Sequence, residues 1–349
     1  MKKTSLAVTA AIVVTLCPLV AFSAADNPAL RHIIAARQEL LDHFLSVKAS
    51  AGDTAYELVG RLNGDVDAVG QIAPPPGYSA TDWIERERLV ADLDSDLIAD
   101  LIAGNDPRAL QSPGIAEHVI RSKVDGTLQA LALYVPPAHK ISGIVVLLHG
   151  HQQSEAEILG APYFRKLADS TGTIVVAPYG RGLYDFAAPG SDDVYQALDV
   201  VREQFTVDAR HIFLVGYSMG GFSVFSLGLL HPGRWSAIMC ISGAILNSET
   251  AATRFRFRAT PFYIVTGKHD MSIPAVYGEE TATFLNNAGV PTSFYEEPTG
   301  EHWLGTLLPS LTAAWRDMFA GIIREPTGLA ANGALPNIPV APSDRNFKP

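Results

Sequence analysis

The chain begins with two stretches in which apolar residues recur every three or four positions. Both "PALRHIIAARQELLDHFLSVK" (28–48) and the stretch 82–103 therefore predict amphipathic helices. "QIAPPPGYS" (71–79) joins them as a rigid, extended connector. We interpret 26–114 as a helical region packed on the domain that follows it. A lid over an active site and a contact between copies of the chain are the alternatives.

From about residue 115 the pattern changes to short apolar runs that end at glycine, serine or charged residues. The main runs are "GIVVLLHG", "TIVVAPYG", "IFLVGYS", "SAIMCISG", "PFYIVTGKHD" and "TSFYEEP". Nearly continuous hydrophobic strands are typical of a parallel sheet that is buried on both faces. Helical stretches separate these strands, and a hairpin turned at Asp125-Gly126 precedes them. The pattern predicts an α/β domain over 115–324, with a mostly parallel, doubly wound sheet and the N-terminal helices as an extension.

The two ends of the chain differ from this domain. Lys2 and Lys3 precede the apolar run 6–22, and small residues follow it. This order predicts a secretory signal over 1–25, cleaved near Ser23 or Ala25, and export to the periplasm or the medium. The segment 325–349 is rich in Pro, Gly, Ala and Asn, and we expect it to be a flexible tail.

Composition narrows the function classes. The 349 residues carry a formal net charge of -10, which argues against a nucleic acid or an anionic membrane as the partner. A membrane span is not expected, because the apolar run near the N-terminus is short and no second one follows. Cys17 falls in the signal, so Cys240 has no intrachain partner after cleavage, and we expect it to be a buried thiol.

The segment "HIFLVGYSMGGFSVFSLG" (211–228) reads as a strand, a tight turn and a helix. The turn places Ser218 between Gly216 and Gly220, the spacing of a nucleophile elbow. A cramped backbone of this kind requires neighbours without side chains, and it turns the serine hydroxyl away from the sheet. The backbone N–H of Met219, at the start of the helix, is a predicted oxyanion donor.

A serine hydroxyl becomes a nucleophile when a histidine accepts its proton and a carboxylate orients that histidine. Asp270 follows the strand "PFYIVTG", and His302 follows the strand "TSFYEEP". Ser218, Asp270 and His302 thus stand in the chain order of a hydrolase triad, each at the carboxyl end of a strand. His269 is a rival base, but it precedes the final strand. The alternative is a purely structural role, with Asp270 as a turn residue and His302 as a helix cap.

Further site residues are predicted with less support from spacing. In "IVVLLHGHQQS" the glycine permits a turn, and the backbone N–H of His151 is the second predicted oxyanion donor. Trp303, Tyr179 and Tyr184 are candidates for an acyl or aromatic pocket, and Arg181 is a candidate for meeting a substrate carboxylate. Packing of these side chains between loops and sheet is the alternative.

The motifs "LLHGHQQS", "GYSMGG", "GKHDMSIP" and "GEHW" resemble those of exported α/β-hydrolases of the serine esterase and prolyl-oligopeptidase catalytic-domain group. The segment leading to "GYSMGG" is similar to relatives of feruloyl esterases and polyhydroxybutyrate depolymerases. The resemblance covers about 120–322 and implies the α/β-hydrolase fold. Prolyl-oligopeptidase relatives commonly carry a β-propeller, which the short helical region cannot form; this departure weakens the peptidase alternative.

These observations lead us to expect an exported serine hydrolase that cleaves small-molecule or short-oligomer carboxylic esters through an acyl-enzyme. A serine peptidase acting on short peptides and an inactive binding module on the same fold are the alternatives. We expect no cofactor and no metal, because the sequence shows no Cys/His cluster, P-loop or dinucleotide fingerprint.

Overall fold

A computed structural model describes residues 28–51, 55, 57–62, 74, 76–103, 112–138, 140–182, 186–245 and 260–324. Eight strands form one sheet. Their bounds are β1 Gly114–Arg121, β2 Leu128–Val135, β3 Gly143–Leu148, β4 Thr173–Pro178, β5 Ile212–Tyr217, β6 Ala237–Ile241, β7 Phe262–Gly267 and β8 Thr292–Glu297. The spatial order is β1-β2-β4-β3-β5-β6-β7-β8.

The sheet is parallel from β4 to β8 and antiparallel at the end formed by β1 and β2. The predicted hairpin is confirmed, and its turn contains Gly126 with a φ of 79°. Every residue of β3, β4, β5, β6 and β7 is buried. This burial on both faces explains the unbroken apolar runs in the sequence, and the predicted doubly wound α/β fold is confirmed.

Eight labelled helices accompany the sheet in the described residues. Their bounds are α1 Pro28–Ala51, α2 Ala80–Ala103, α3 Glu155–Gly160, α4 Pro162–Thr171, α5 Gly190–Gln204, α6 Met219–Leu230, α7 Ala275–Asn287 and α8 Leu308–Ala320. A further helical segment covers 57–62. The two predicted N-terminal helices are confirmed as α1 and α2.

The core consists of two apolar layers, one on each face of the sheet. On one face, α5, α6 and α7 pack against side chains such as Ile144 and Leu214. On the other face, α3, α4 and α8 pack against side chains such as Val145 and Val215. Cys240 is fully buried in the first layer, as predicted, and burial raises the pKa of its thiol.

A buried ion cluster joins the N-terminal helical region to the sheet. Arg61 contacts three carboxylates: Asp94 of α2, Glu117 of β1 at 2.7 Å and Glu155 of α3 at 2.7 Å. Arg37 of α1 pairs with the same Asp94. All five side chains are at most 2% exposed. The helical region is therefore packed on the sheet through charge as well as apolar contacts.

The cluster contains three carboxyls and two guanidinium groups, so one negative charge would be in excess if all five were ionised. The pKa of Glu117 is the one that shifts to favour the neutral carboxyl. Burial raises the pKa of Glu117 well above its usual range, and the nearby Glu155 carboxylate adds to this effect against the attraction of Arg61. Burial alone raises the pKa of Glu155 too, but Arg61 and a hydrogen bond from Glu117 outweigh it and lower the pKa. The raised pKa favours the protonated form of Glu117, and a proton there would leave two carboxylates opposite the two guanidinium groups.

The predicted signal (1–25) and the predicted tail (325–349) lie outside the described residues. Within the part of the chain that the structure describes, each helix is too short or too polar to cross a bilayer.

Candidate active site

Ser218 lies in the tight turn between β5 and α6, with a φ of 53° and a ψ of -113°. A positive φ is uncommon for a residue other than glycine, and strain of this kind concentrates at functional sites. A Cβ at Gly216 would lie 2.1 Å from the carbonyl oxygen of Gly220, and a Cβ at Gly220 would lie 2.5 Å from that of Leu148. The two glycines next to the serine are therefore required by close backbone contacts.

Two hydrogen bonds connect Ser218, His302 and Asp270, which the sequence predicted as one constellation. The distance from His302 Nε2 to Ser218 Oγ is 3.0 Å, and that from His302 Nδ1 to Asp270 Oδ2 is 2.8 Å. His302 lies 84 positions after Ser218 and 32 positions after Asp270 in the chain. The fold brings them to one edge of the sheet, beyond the carboxyl ends of β5, β7 and β8.

The Asp270 carboxylate is held from its other side. Its Oδ1 accepts hydrogen bonds from the backbone N–H groups of Ser272 at 2.9 Å and Ile273 at 2.7 Å. Because the carboxylate accepts only, it assigns the proton of the neutral imidazole to Nδ1, which leaves Nε2 of His302 free to accept from the serine hydroxyl. The arrangement can therefore remove a proton from Ser218 and stabilise the resulting imidazolium.

The rival base His269 lies beside Asp270 but faces solvent. Its backbone N–H donates to the carbonyl oxygen of Gly300 at 2.8 Å, which ties the β7 loop to the loop that carries His302. The structure thus gives His269 a connecting role through its backbone, and it places His302 against the serine.

The predicted oxyanion donors belong to the turns after β3 and β5. Met219 is the first residue of α6, where helix N–H groups lack acceptors within the helix. The neighbouring amides are engaged: Gly150 N–H donates to Gln153 Oε1, and Gly220 N–H donates to the carbonyl oxygen of His149, both at 3.0 Å. The backbone N–H groups of Met219 and His151 stay the predicted donors.

Comparison with known proteins adds to this geometry. The model of the Alpha/beta hydrolase family matches residues 145–344, which is more than half of the chain. The chain belongs to the alpha/beta hydrolase family. The resemblance drawn from the sequence motifs is confirmed at this level, and the match includes every strand from β4 onward.

Two curated proteins are similar in sequence to part of this chain. A bifunctional acetylxylan esterase/xylanase from Neocallimastix patriciarum is 27% identical over 133 residues, which are 37% of this chain and 19% of that protein. Dipeptidyl-peptidase 5 from Porphyromonas endodontalis is 22% identical over 225 residues, which are 52% of this chain and 32% of that protein. The chain thus spans only a fifth to a third of the length of these relatives.

Solved structures share its fold. A ferulic acid esterase superposes with a TM-score of 0.52 and 18% identity, covering 59% of this chain and 98% of that one. A fluorophosphonate-binding serine hydrolase from Staphylococcus aureus gives 0.50 and 17%, covering 60% and 99%. These proteins account for little more than half of this hydrolase, and at such identities they show the fold alone.

Tyr217, which precedes the serine, is a site residue that sequence reasoning missed. Its hydroxyl donates to the backbone carbonyl of His302 at 2.9 Å, and its ring lies 5.5 Å from the His302 ring. The same ring faces Gly150, where a Cβ would lie 3.1 Å away. Burial raises the pKa of the Tyr217 phenol, so it stays a donor. Tyr217 therefore links the turn at Ser218 to the loop 298–306 that carries His302 (the histidine loop) and to the turn after β3.

His149 is a buried structural residue of the hydrolase. Its Nδ1 lies 2.8 Å from the Gly150 carbonyl oxygen, and its Nε2 lies 3.1 Å from that of Tyr179. Its ring packs against Phe186 at 5.0 Å. The histidine thus holds the turn after β3 against the turn after β4.

Trp303, a predicted pocket residue, lies next to the triad. It is 43% exposed, and its ring lies 6.4 Å from the His302 ring. Met271, which directly follows Asp270 in the chain, is a second exposed apolar residue, at 92%. Trp303 is therefore the predicted pocket residue that the structure places in ring contact with the triad histidine.

Two of the other pocket candidates have different roles. Arg181 donates to Asp193 at 2.6 Å and also pairs with Asp125, so its guanidinium contacts carboxylates of the protein itself, and a contact with a substrate carboxylate stays a prediction. Tyr179 is 7% exposed and belongs to the apolar layer under the N-terminal helices. The sequence could not show these partners, since they come from distant positions. Tyr184 lies outside the described residues.

Proposed function

We propose that this hydrolase cleaves carboxylic esters with Ser218 as the nucleophile. The observation that carries the proposal is the continuous hydrogen-bond chain Ser218–His302–Asp270, formed at the strained turn after β5. The partial relatedness to an acetylxylan esterase supports an ester as the substrate class.

The geometry supports a two-step reaction. Ser218 Oγ attacks the ester carbonyl carbon while His302 Nε2 takes the hydroxyl proton, and the Met219 and His151 amides bind the oxyanion. The intermediate collapses as His302 returns the proton to the departing alcohol, which leaves an acyl-serine. Water then attacks the acyl carbon while one of its protons passes to His302, and His302 returns that proton to Ser218 Oγ as the bond to the acyl group breaks and the carboxylic acid is released.

A Ser218→Ala variant tests the proposal. We expect it to lose labelling by a fluorophosphonate probe and turnover of p-nitrophenyl and feruloyl esters. Ser226→Ala, an exposed serine on the same helix, is the matched control and should keep both. Labelling of Ser218→Ala at the rate of the unchanged enzyme would show that another residue is the nucleophile.

A serine peptidase is the second candidate, and the similarity to Dipeptidyl-peptidase 5 over 52% of the chain favours it. The same triad serves both reactions, but an amide requires more complete protonation of its leaving group. Aminoacyl-prolyl and dipeptidyl amides, assayed beside the esters, separate the two. A kcat/KM for a peptide substrate above that for every ester would favour the peptidase.

We also propose that the protein is exported, from the Lys2-Lys3 start and the apolar run 6–22. The mature chain is then expected to begin near Ala24 or Asp26. N-terminal sequencing of material recovered outside the cytoplasm checks this, and a chain that still begins at Met1 would contradict it.

A further inference from the structure

The loop that carries His302 is contacted from outside the family match. Gly77, in the connector before α2, lies against the short helical turn Leu304–Thr306 that follows His302. A Cβ at Gly77 would lie 2.7 Å from the carbonyl carbon and the Cα of Gly305, and 3.0 Å from the Thr306 nitrogen. Backbone therefore packs directly on backbone, at a position with a φ of 89° that favours glycine.

Contacts within the histidine loop transmit this packing to His302. Thr306 Oγ1 accepts from the N–H of Glu301 at 2.9 Å and donates to the carbonyl oxygen of Trp303 at 2.7 Å. The Thr306 N–H donates to the same Trp303 oxygen at 2.9 Å. Thr306 thus fixes the residues on both sides of His302, so a displacement of Gly305 and Thr306 moves the imidazole.

The connector is itself anchored to the hydrolase domain. The Tyr78 ring packs against Trp83 at 5.5 Å and against Tyr163 of α4 at 5.4 Å. The Tyr163 hydroxyl donates to the carbonyl oxygen of Gly77 at 3.4 Å. It is also the neighbour of Gly305, where a Cβ would lie 2.7 Å from it. One phenol therefore touches both sides of the contact.

We infer that the connector Gly77-Tyr78 belongs to the active-site scaffold, with Gly77 as a positioning residue that seats the histidine loop. On its inner side this loop is held by Tyr217, and on its outer side by Gly77. The inference rests on the proposed function, since it assigns the base to His302. It gives the N-terminal extension a role in the reaction without any contact with substrate.

A pair of glycine variants isolates this role. Gly77→Ala places a methyl group against Gly305, whereas Gly289→Ala has a similar φ of 77° with nothing within 4 Å of the added Cβ. Both carry the backbone strain of alanine at positive φ, but only the first displaces the histidine loop. Because a misplacement of about 1 Å can cost about a hundredfold in rate, we expect kcat of Gly77→Ala on an activated ester to fall at least about tenfold below that of Gly289→Ala.

Two further readouts separate positioning from stability. The rate of fluorophosphonate labelling should fall with kcat. KM should change little, because neither glycine is one of the predicted pocket residues. Both variants should lower the melting temperature, Gly77→Ala by more because of the added contact with Gly305, so kcat is compared at a temperature at which both variants are folded. Equal kcat values for folded Gly77→Ala and Gly289→Ala would overturn the inference.

A milder variant keeps the test decisive if Gly77→Ala does not fold. Tyr163→Phe removes the hydroxyl between Gly77 and Gly305 and is expected to lower kcat about threefold or more at unchanged KM; an unchanged kcat would then overturn the inference. An unchanged enzyme that turns over no ester and takes no fluorophosphonate label would instead refute the proposed function. The two failures are thus distinguishable.

Discussion

At the scale of the residue, Ser218 shows how local chemistry and backbone geometry depend on each other. Its positive φ turns the hydroxyl toward His302, and the turn closes only because Gly216 and Gly220 have no side chains. An alanine at either position would push its Cβ into a backbone carbonyl at 2.5 Å or less. The sequence pattern G-x-S-x-G therefore has a steric cause at both glycines.

The choice between the two histidines is tested by kcat on one activated ester. His302→Ala removes the proton acceptor and is expected to lower kcat about as much as Ser218→Ala, on the order of 10⁴-fold or more, because the three residues act as a unit. Asp270→Asn should be somewhat milder. His269→Ala, whose side chain faces solvent, should stay within about tenfold of the unchanged enzyme. An inactive but folded His269→Ala would move the base to that residue.

Tyr217→Phe tests the link between the elbow and the histidine loop. The change keeps the ring and removes only the hydroxyl that donates to the His302 carbonyl at 2.9 Å. We expect kcat to fall about five- to twentyfold, because His302 loses a hydrogen bond that holds its backbone in place. KM should stay nearly unchanged, because the predicted pocket residues are not altered. Tyr263→Phe is the control, since its hydroxyl also donates to a backbone carbonyl but far from the triad, at Asp317. Equal kcat losses in both variants would contradict the prediction.

At the scale of the element, the buried ion cluster shows what holds α1 and α2 on the sheet. Arg61 alone connects α2, β1 and α3. Buried charges of this kind are tolerated only when they are paired, and removing one partner is strongly destabilising. The raised pKa of Glu117 fits this pairing, because a proton there would remove the one negative charge that the two arginines do not balance.

The raised pKa of Glu117 makes the stability of the fold depend on pH. Above the usual pKa of 4.5 the unfolded chain releases the Glu117 proton more readily than the folded chain does. The stabilisation is therefore complete below about pH 4.5 and is lost as the pH rises toward the folded pKa. Glu117→Gln needs no proton, so its free energy of unfolding should rise relative to the unchanged protein between pH 5.5 and 8.5, by at most about 1.4 kcal/mol per pH unit.

Urea unfolding at pH 5.5, 7.0 and 8.5 measures that difference. Glu279→Gln removes an exposed carboxyl on α7 and serves as the control, with no comparable trend expected. A difference between Glu117→Gln and the unchanged protein that stays constant over this range would show that Glu117 is ionised in the fold.

At the scale of the whole molecule, the N-terminal helices and the hydrolase domain form one packed unit. Apolar contacts run from Leu41 and Leu97 to Ala130 and Tyr179, and from Val90 to Ala156. With the ion cluster and the Gly77 contact, the extension meets the sheet, α3 and the histidine loop. This arrangement favours the interpretation as a packed elaboration over that of a lid.

Unfolding is therefore expected to be cooperative across both regions. Hydrogen exchange along a urea series should give amides of α2 and amides of α8 the same midpoint. Arg61→Met leaves Asp94 and Glu155 without their shared partner and should lower both midpoints together. An earlier midpoint for α2 alone would show that the extension opens independently, as a lid would.

The sequence by itself determined the features that depend on neighbouring residues. Hydrophobic runs of strand length predicted the sheet, and helical periodicity predicted α1 and α2. Ser218, Asp270 and His302 were identified because each stands at the end of a strand, and parallel strands bring their carboxyl ends to one edge. The physical reason is that hydrophobic periodicity, turn residues and the succession of strands are all properties of neighbouring positions in the chain.

Only the tertiary structure decided which distant side chains meet. Tyr163 and Gly77 are 86 positions apart, and Arg61 and Glu155 are 94 apart, so neither contact has a local signature. The same holds for Arg181, whose contacts with Asp193 and Asp125 were not predicted from the sequence. Residues that are distant in the chain become partners because the folded state brings them close together. The hydrophobic periodicity of the sequence does not show which distant residues these are.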